Sequence, residues 1–288
     1  MRRLSCVAIV TWIGCHHADP VDVKVSPNGM EMVSLGALPR QAVHYSLTDH
    51  EKSIVELALE MNLTAGTMGG AVPTVAVMFQ VAVEGVIPTG HANVRMTVLD
   101  AVSRDRPDSQ APAASTAAQL DALKGISIIA TIAPDGKLSN TRVDPSAKQV
   151  SDTNAAQVSS LIASFQQVTM PLPDVPLGIG ATWKSSRAID QAGMKMTAVN
   201  TVTLTKLEGS RLTFSSTAEL HGDDQTVTIS GVAIRIEHVA GTGEGHGTIS
   251  LDRLTMTGEI NAMFKAEMSA QDERTPMQVT TKLTVTPN

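Results

Sequence analysis

The chain has 288 residues, a net charge of −6 and a pI near 5.7, a balance that gives no basic footprint for nucleic acid or an anionic membrane surface. Aromatic residues make up only 2%, so stacking platforms for bases or sugars are nearly absent. Hydrophobic residues make up 42%, and a core of useful size has to come from aliphatic side chains and the 14 methionines.

Arg2 and Arg3 precede an apolar run from Leu4 to Ile13, the pattern of a signal peptide over residues 1–14. The run is too short to span a bilayer, which needs about 20 residues. It ends in Trp12-Ile13-Gly14-Cys15, which resembles the lipobox of bacterial lipoproteins, with Trp12 where Leu is usual. That resemblance implies cleavage before Cys15, lipidation of Cys15, and a membrane partnership through the anchor. His16 follows in place of the Asp that retains such proteins in the inner membrane, which implies the outer membrane, facing periplasm or cell surface. Cys6 and Cys15 are the only cysteines, so the mature chain has no pair for an internal disulfide. Residues 15–40 hold Pro20, Pro27 and Pro39 and show no period; they read as a lipid-proximal tether, His16-His17 included.

A first β-rich half is expected over 41–169. Val55, Leu57, Leu59, Met61 and Leu63 alternate with polar residues, the period of a half-buried strand. Val75, Val77, Phe79, Val81 and Val83 repeat the pattern, as do Val94, Met96 and Val98. A polar, Ala/Pro-rich connection with a short helix ending at Gly125 follows. Pro134-Asp135-Gly136 then separates two short runs, a hairpin signal because Asp-Gly accommodates the positive φ of a tight turn. Asp144-Pro145 opens the main predicted helix, about 145–169, with Val150, Val158, Leu161, Ile162, Phe165 and Val168 on one stripe. Met170-Pro171 stops it.

Three prolines and two glycines between Pro171 and Gly180 make residues 170–183 a seam rather than a regular element. Alternation resumes over 184–288, through Met194, Met196, Ala198, Val202 and Leu204, then Leu212 to Leu220, Val227 to Ile236, Ile260 to Met268, and Met277 to Val285. Gly125–Val143 and Gly247–Met268 share a pattern of Gly-led strand, Gly-containing turn and strand, which suggests an internal duplication. The expected class is α+β, mainly antiparallel β, with two similar curved sheets or half-barrels packing on one main amphipathic helix.

The seam residues Pro173, Pro176, Gly180 and Trp183 form a PxxPxxxGxxW signature that resembles a family of uncharacterised bacterial lipoproteins. The resemblance covers roughly residues 41–286; Ala181 stands where such proteins often carry Asp. A looser likeness is to lipoprotein-carrier folds, which implies a strongly curved antiparallel sheet half-enclosing helices and an apolar cavity.

No GxSxG, SxxK, HExxH, Walker A or CxxC motif occurs, so no catalytic residue, metal site or cofactor is assigned. Gly241 to Gly247 alternates glycine with other residues but no helix pattern follows, and a flexible loop or strand start is expected rather than a phosphate cradle. His221, Asp223, Asp224, His238 and His246 read as turn residues and solvated strand ends. Methionine fills gaps in a core short of aromatics, or provides a deformable lining for variable apolar ligands. On the second reading Leu57, Met61, Met96, Phe165, Met194 and Met196 line a pocket. Two functions stay open: an envelope lipoprotein without catalytic activity that holds a lipid or acyl chain between sheet and helix, or a structural lipoprotein of the outer membrane with a packed core that engages an envelope protein partner.

Overall fold

The computed structural model describes residues 30–107, 109, 111–146, 169–191, 194–229, 232–270 and 273–288. The signal segment, Cys15, most of the tether, Phe165 and all but the ends of the predicted 145–169 helix lie outside the described residues.

Period-two alternation makes strands, and here it makes long ones. They are β1 (Met30–Ser34), β2 (Lys52–Ala65), β3 (Met68–Val86), β4 (Ala92–Arg104), β5 (Ser127–Ile132), β6 (Leu138–Val143), β7 (Thr182–Gln191), β8 (Met194–Glu208), β9 (Arg211–Gly222), β10 (Gln225–Ile229), β11 (Val232–Ser250), β12 (Met256–Ala270) and β13 (Glu273–Pro287). The one helix among the described residues is α1 (Ala114–Asp121), which packs beside β4. The Pro134-Asp135-Gly136 hairpin joins β5 to β6 as its residues dictate, with Gly136 at φ 79°.

The expected class needs correction. The strands form one 13-stranded antiparallel sheet in the order β1-β7-β8-β9-β11-β12-β13-β2-β3-β4-β5-β6, with β10 paired to β11 alone. Instead of two sheets packed on a helix, the halves meet edge to edge where β13 pairs β2, Val285 opposite Leu57. Joining there hydrogen-bonds two strand edges that separate sheets would leave open. The chain also joins the fold earlier than a tether to residue 40 implies: β1 pairs β7, with Met32 opposite Trp183.

One face carries the core. A single apolar cluster holds Met30 and Met32 of β1, Phe79 and Val81 of β3, Met96 of β4, Ile128 of β5, Trp183 of β7, Leu204 of β8, Leu212 of β9 and Val285 of β13. Strands near both ends of the sheet thus touch a common interior, so the sheet coils around it. The glycines of β11 make this bend feasible. Their two-residue spacing puts Gly241, Gly243, Gly245 and Gly247 on the core face, opposite Phe264, Ala262, Ile260 and Gly258 of β12. A Cβ on Gly247 would sit 2.6 Å from the Thr257 carbonyl oxygen and 3.1 Å from Phe214 Cζ. The run is therefore the interior of a central strand at a crowded bend, not a loop or a strand start.

The seam closes one end of the coiled sheet. Leu172, Leu177 and Ala181 are fully buried and Trp183 is 1% exposed. Leu177 and Gln41 exchange backbone hydrogen bonds of 2.9 and 3.0 Å. Gly178 N–H donates to the Leu35 carbonyl at 2.9 Å, and Ala37 N–H to Ile179, Leu172 N–H to Asp135 and Gly180 N–H to Leu204 at 2.8 Å each. Seam and residues 35–46 form a plug that ties β8 at one side to the β5–β6 turn at the other. Tyr45 fastens it: its hydroxyl accepts the Met170 N–H (3.1 Å) and donates to the Met170 carbonyl (3.3 Å).

Two outcomes follow from this packing. Gly247→Ala costs about 1–3 kcal/mol through overpacking, whereas Gly243→Ala, whose added Cβ meets nothing closer than 3.4 Å, stays within about 0.5 kcal/mol; urea unfolding of both variants reads the difference. Burial pushes the Tyr45 hydroxyl up to about 12, against the opposing effect of the Met170 N–H. A folded value above the ordinary one near 10 means that its stabilisation is complete below pH 10 and is lost as pH rises through about 12. Tyr45 is the only tyrosine, so the phenolate absorbance of the native chain has its midpoint near 12 and returns to about 10 in denaturant.

Candidate functional site

Between the plug and the far end of the sheet, the core face is not fully covered. On β2 its residues are Val55, Leu57, Leu59, Met61 and Leu63, and their burial decays along the strand. Val55 is 1% exposed, Leu57 and Met61 are half-buried, and Leu59 and Leu63 are each 38% exposed. Register extends this strip sideways. Leu59 lies opposite Leu283 and Leu63 opposite Val279 on β13, which in turn face Ile260 and Phe264 on β12. All four are half-buried. Beyond the strip a smaller cluster closes the sheet's far end, built from Met196, Val227, Ile236, Val239 and Ala266. From Leu57 to Leu63 the strip runs about 20 Å along β2, long enough for an extended acyl chain.

The six residues expected to line one pocket are not gathered. Leu57 and Met61 lie on the strip. Met96, 1% exposed, is locked in the main core, and Met196, 6% exposed, belongs to the smaller cluster. Met194 opens β8 opposite Gln191, and Phe165 lies outside the described residues. Leu59, Leu63, Val279 and Ile260 complete the strip, bounded by Leu283, which packs on the main core, and Phe264, which packs on the smaller cluster; their alternation is plain in the sequence, but alternation does not say which inward residues stay partly uncovered. Of the seam residues, Pro173 and Trp183 are buried, while Pro176 and Gly180 are exposed at its surface.

The opposite face is polar. It holds a cleft of about 770 Å³ lined by Glu60, Asn62, Arg106, Glu244, Asn261 and Lys282 among others. These groups engage one another and their neighbours. Lys282 Nζ lies 2.8 Å from Glu259 Oε2, and Asn261 Nδ2 donates to Glu259 Oε1 at 2.8 Å. Lys282 holds the Glu259 carboxyl below the usual carboxylate range, and the carboxylate raises the Lys282 amine in return. The Asn62 amide donates to Thr280 Oγ1, and the Arg106 guanidinium to the Met61 carbonyl. The histidines are dispersed, His221 near Glu219 (3.8 Å) and His238 near Glu267 (3.4 Å). Among the described residues, no group of three or more His, Cys, Asp or Glu is placed to hold a metal ion. No described helix is long and apolar enough to cross a membrane.

A family model matches residues 154–258; its description is a family of unknown function (DUF6263). The matched part takes in the seam and β7 to β11, including the glycine run. No curated protein matches the chain.

The strip and the core differ in how much they contribute to folding. Leu63→Ser costs under about 1 kcal/mol, while Met96→Ala, which empties a packed site, costs about 2–5 kcal/mol. Equal costs in chemical denaturation would place the strip inside the core.

Proposed function

We propose that this chain is a non-catalytic envelope lipoprotein, anchored through Cys15, that holds a lipid acyl chain against the apolar strip of its sheet. The observation that carries the reading is Leu59 and Leu63, each 38% exposed on the face that is otherwise core. They continue into half-buried Val279, Leu283, Ile260 and Phe264. Apolar surface left open between two packed clusters gains about 0.8 kcal/mol for each methylene laid on it. Met61 adds a side chain that adapts to chains of different shape. The lipobox resemblance supports placing the chain at the outer membrane.

A second reading, a lipoprotein that engages an envelope protein partner, is favoured by the polar cleft on the other face. Native mass spectrometry of the full chain purified from membranes separates the two. Acyl-chain holding predicts a covalent lipid mass on Cys15 together with a lipid that dissociates on collisional activation. The double variant Leu59→Asp, Leu63→Asp keeps the covalent mass and loses the dissociable one. A wild-type chain free of dissociable lipid, with a protein retained through Glu60 and Glu244, selects the second reading.

A further inference from the structure

Alternation along β7 sets a cation on the core face of the sheet. β7 pairs with β8 without a register shift, so Trp183, Ser185, Arg187 and Ile189 share that face. Trp183 belongs to the main core, and Ile189 packs on the smaller cluster. Arg187 lies between the two. It is exposed, and among the described residues its guanidinium has no ion-pair or hydrogen-bond partner. Asn200, which breaks the apolar alternation of β8, stands opposite Ser185 and diagonal to Arg187, a separation that a long side chain spans. Asn200 and Ser185 are half-buried, and neither side chain bonds to another described residue.

From this polar corner two rows of facing residues cross the sheet. The row that starts at Arg187 continues through Ala198, Leu220, Gly241 and Phe264, then ends on Val279 and Leu63 of the strip. The neighbouring row, from Asn200 to Met61, has Ala218, Gly243, Ala262 and Thr281 between its ends. Arg187 is the one charged residue in either row. Val202 and Trp183 of the main core border this band on one side, and Met196 and Ile189 at the smaller cluster on the other. The two rows lie about 7 Å apart along the strands, room for a single extended chain. Arg187 and Phe264 are separated by four strand spacings, about 19 Å along the sheet. The acyl chains of one bilayer leaflet span about 15 Å. A chain with its head at Arg187 therefore lies across Leu220 and Gly241 and reaches the border of the strip. The guanidinium presents paired N–H donors that match the two oxygens of a carboxylate, and the Asn200 amide and Ser185 hydroxyl add further donors.

We propose that Arg187, with Asn200 and Ser185 beside it, binds the carboxylate of a free fatty acid whose acyl chain lies along the row towards Phe264 and Val279. The proposal rests on the acyl-chain reading above, and its test separates the two. Binding of radiolabelled myristate and of 1-tetradecanol, its uncharged counterpart, is measured by equilibrium dialysis against the purified full chain. The chain is expected to hold the acid about tenfold more tightly than the alcohol, the effect of one charged hydrogen-bonding partner. Arg187→Gln brings the acid down to the level of the alcohol and leaves the alcohol unchanged, while Arg187→Lys keeps most of the preference. Lys184→Gln, on the opposite face of β7, keeps it in full and controls for attraction by net charge. Equal binding of acid and alcohol by the parent chain overturns the Arg187 assignment and leaves the acyl-chain reading standing. An Arg187→Gln chain that loses both ligands alike, or a Lys184→Gln chain that loses the preference as fully, also overturns it. Absence of binding of either ligand to every chain removes the acyl-chain reading and the proposal with it.

Discussion

The structure depends on one constraint: a single very wide sheet has an apolar face and little besides itself to bury that face against. Among the described residues the only helix, α1, has eight residues. The sheet solves this by coiling, so that Met30 and Trp183 near one edge share a cluster with Ile128 and Ile132 near the other. Coiling brings inward side chains of neighbouring strands together, and β11 meets that crowding by having none at four successive inward positions. Ala218 and Ala262, facing each other across Gly243, relieve it further.

Coiling alone leaves the end of the interior open, and the seam covers it. Its prolines and glycines prevent regular pairing, yet its backbone groups pair with five residues from three parts of the chain: Leu35, Ala37 and Gln41, then Asp135, then Leu204. Buried Leu172, Leu177 and Trp183 sit below this layer. Tyr45 matters because its hydroxyl meets both the N–H and the carbonyl of Met170. Beyond β6, Asp144, 5% exposed, pairs with Arg95 and accepts the Ser146 N–H at 2.9 Å.

Packing therefore differs between stretches of one face. Next to the plug the face is packed and each residue has lost its freedom to do anything else. Further along β2 the same alternation continues, but the strands extend past the region where the coil closes, and Leu59 and Leu63 stay partly in water. The polar face shows the complementary arrangement, with a carboxylate, amides, a hydroxyl and a cation satisfying one another across β2, β13 and β12.

Period two identified the strands and Asp135-Gly136 identified the turn, because each depends on residues adjacent in the chain. The GxGxGxG spacing also held its answer, since a two-residue repeat puts every glycine on one face of a strand. What the sequence could not supply was the identity of each strand's partner. Alternation is the same whether β13 pairs with β2 or ends a separate sheet, and only the tertiary structure joined the halves into one sheet and drew Met30–Ser34 beside β7. For the same reason Met96, Met61 and Met196 look alike in sequence yet occupy a packed core, an open strip and a second cluster. Local pattern sets which face a side chain takes; the curvature of the whole sheet decides whether anything covers it.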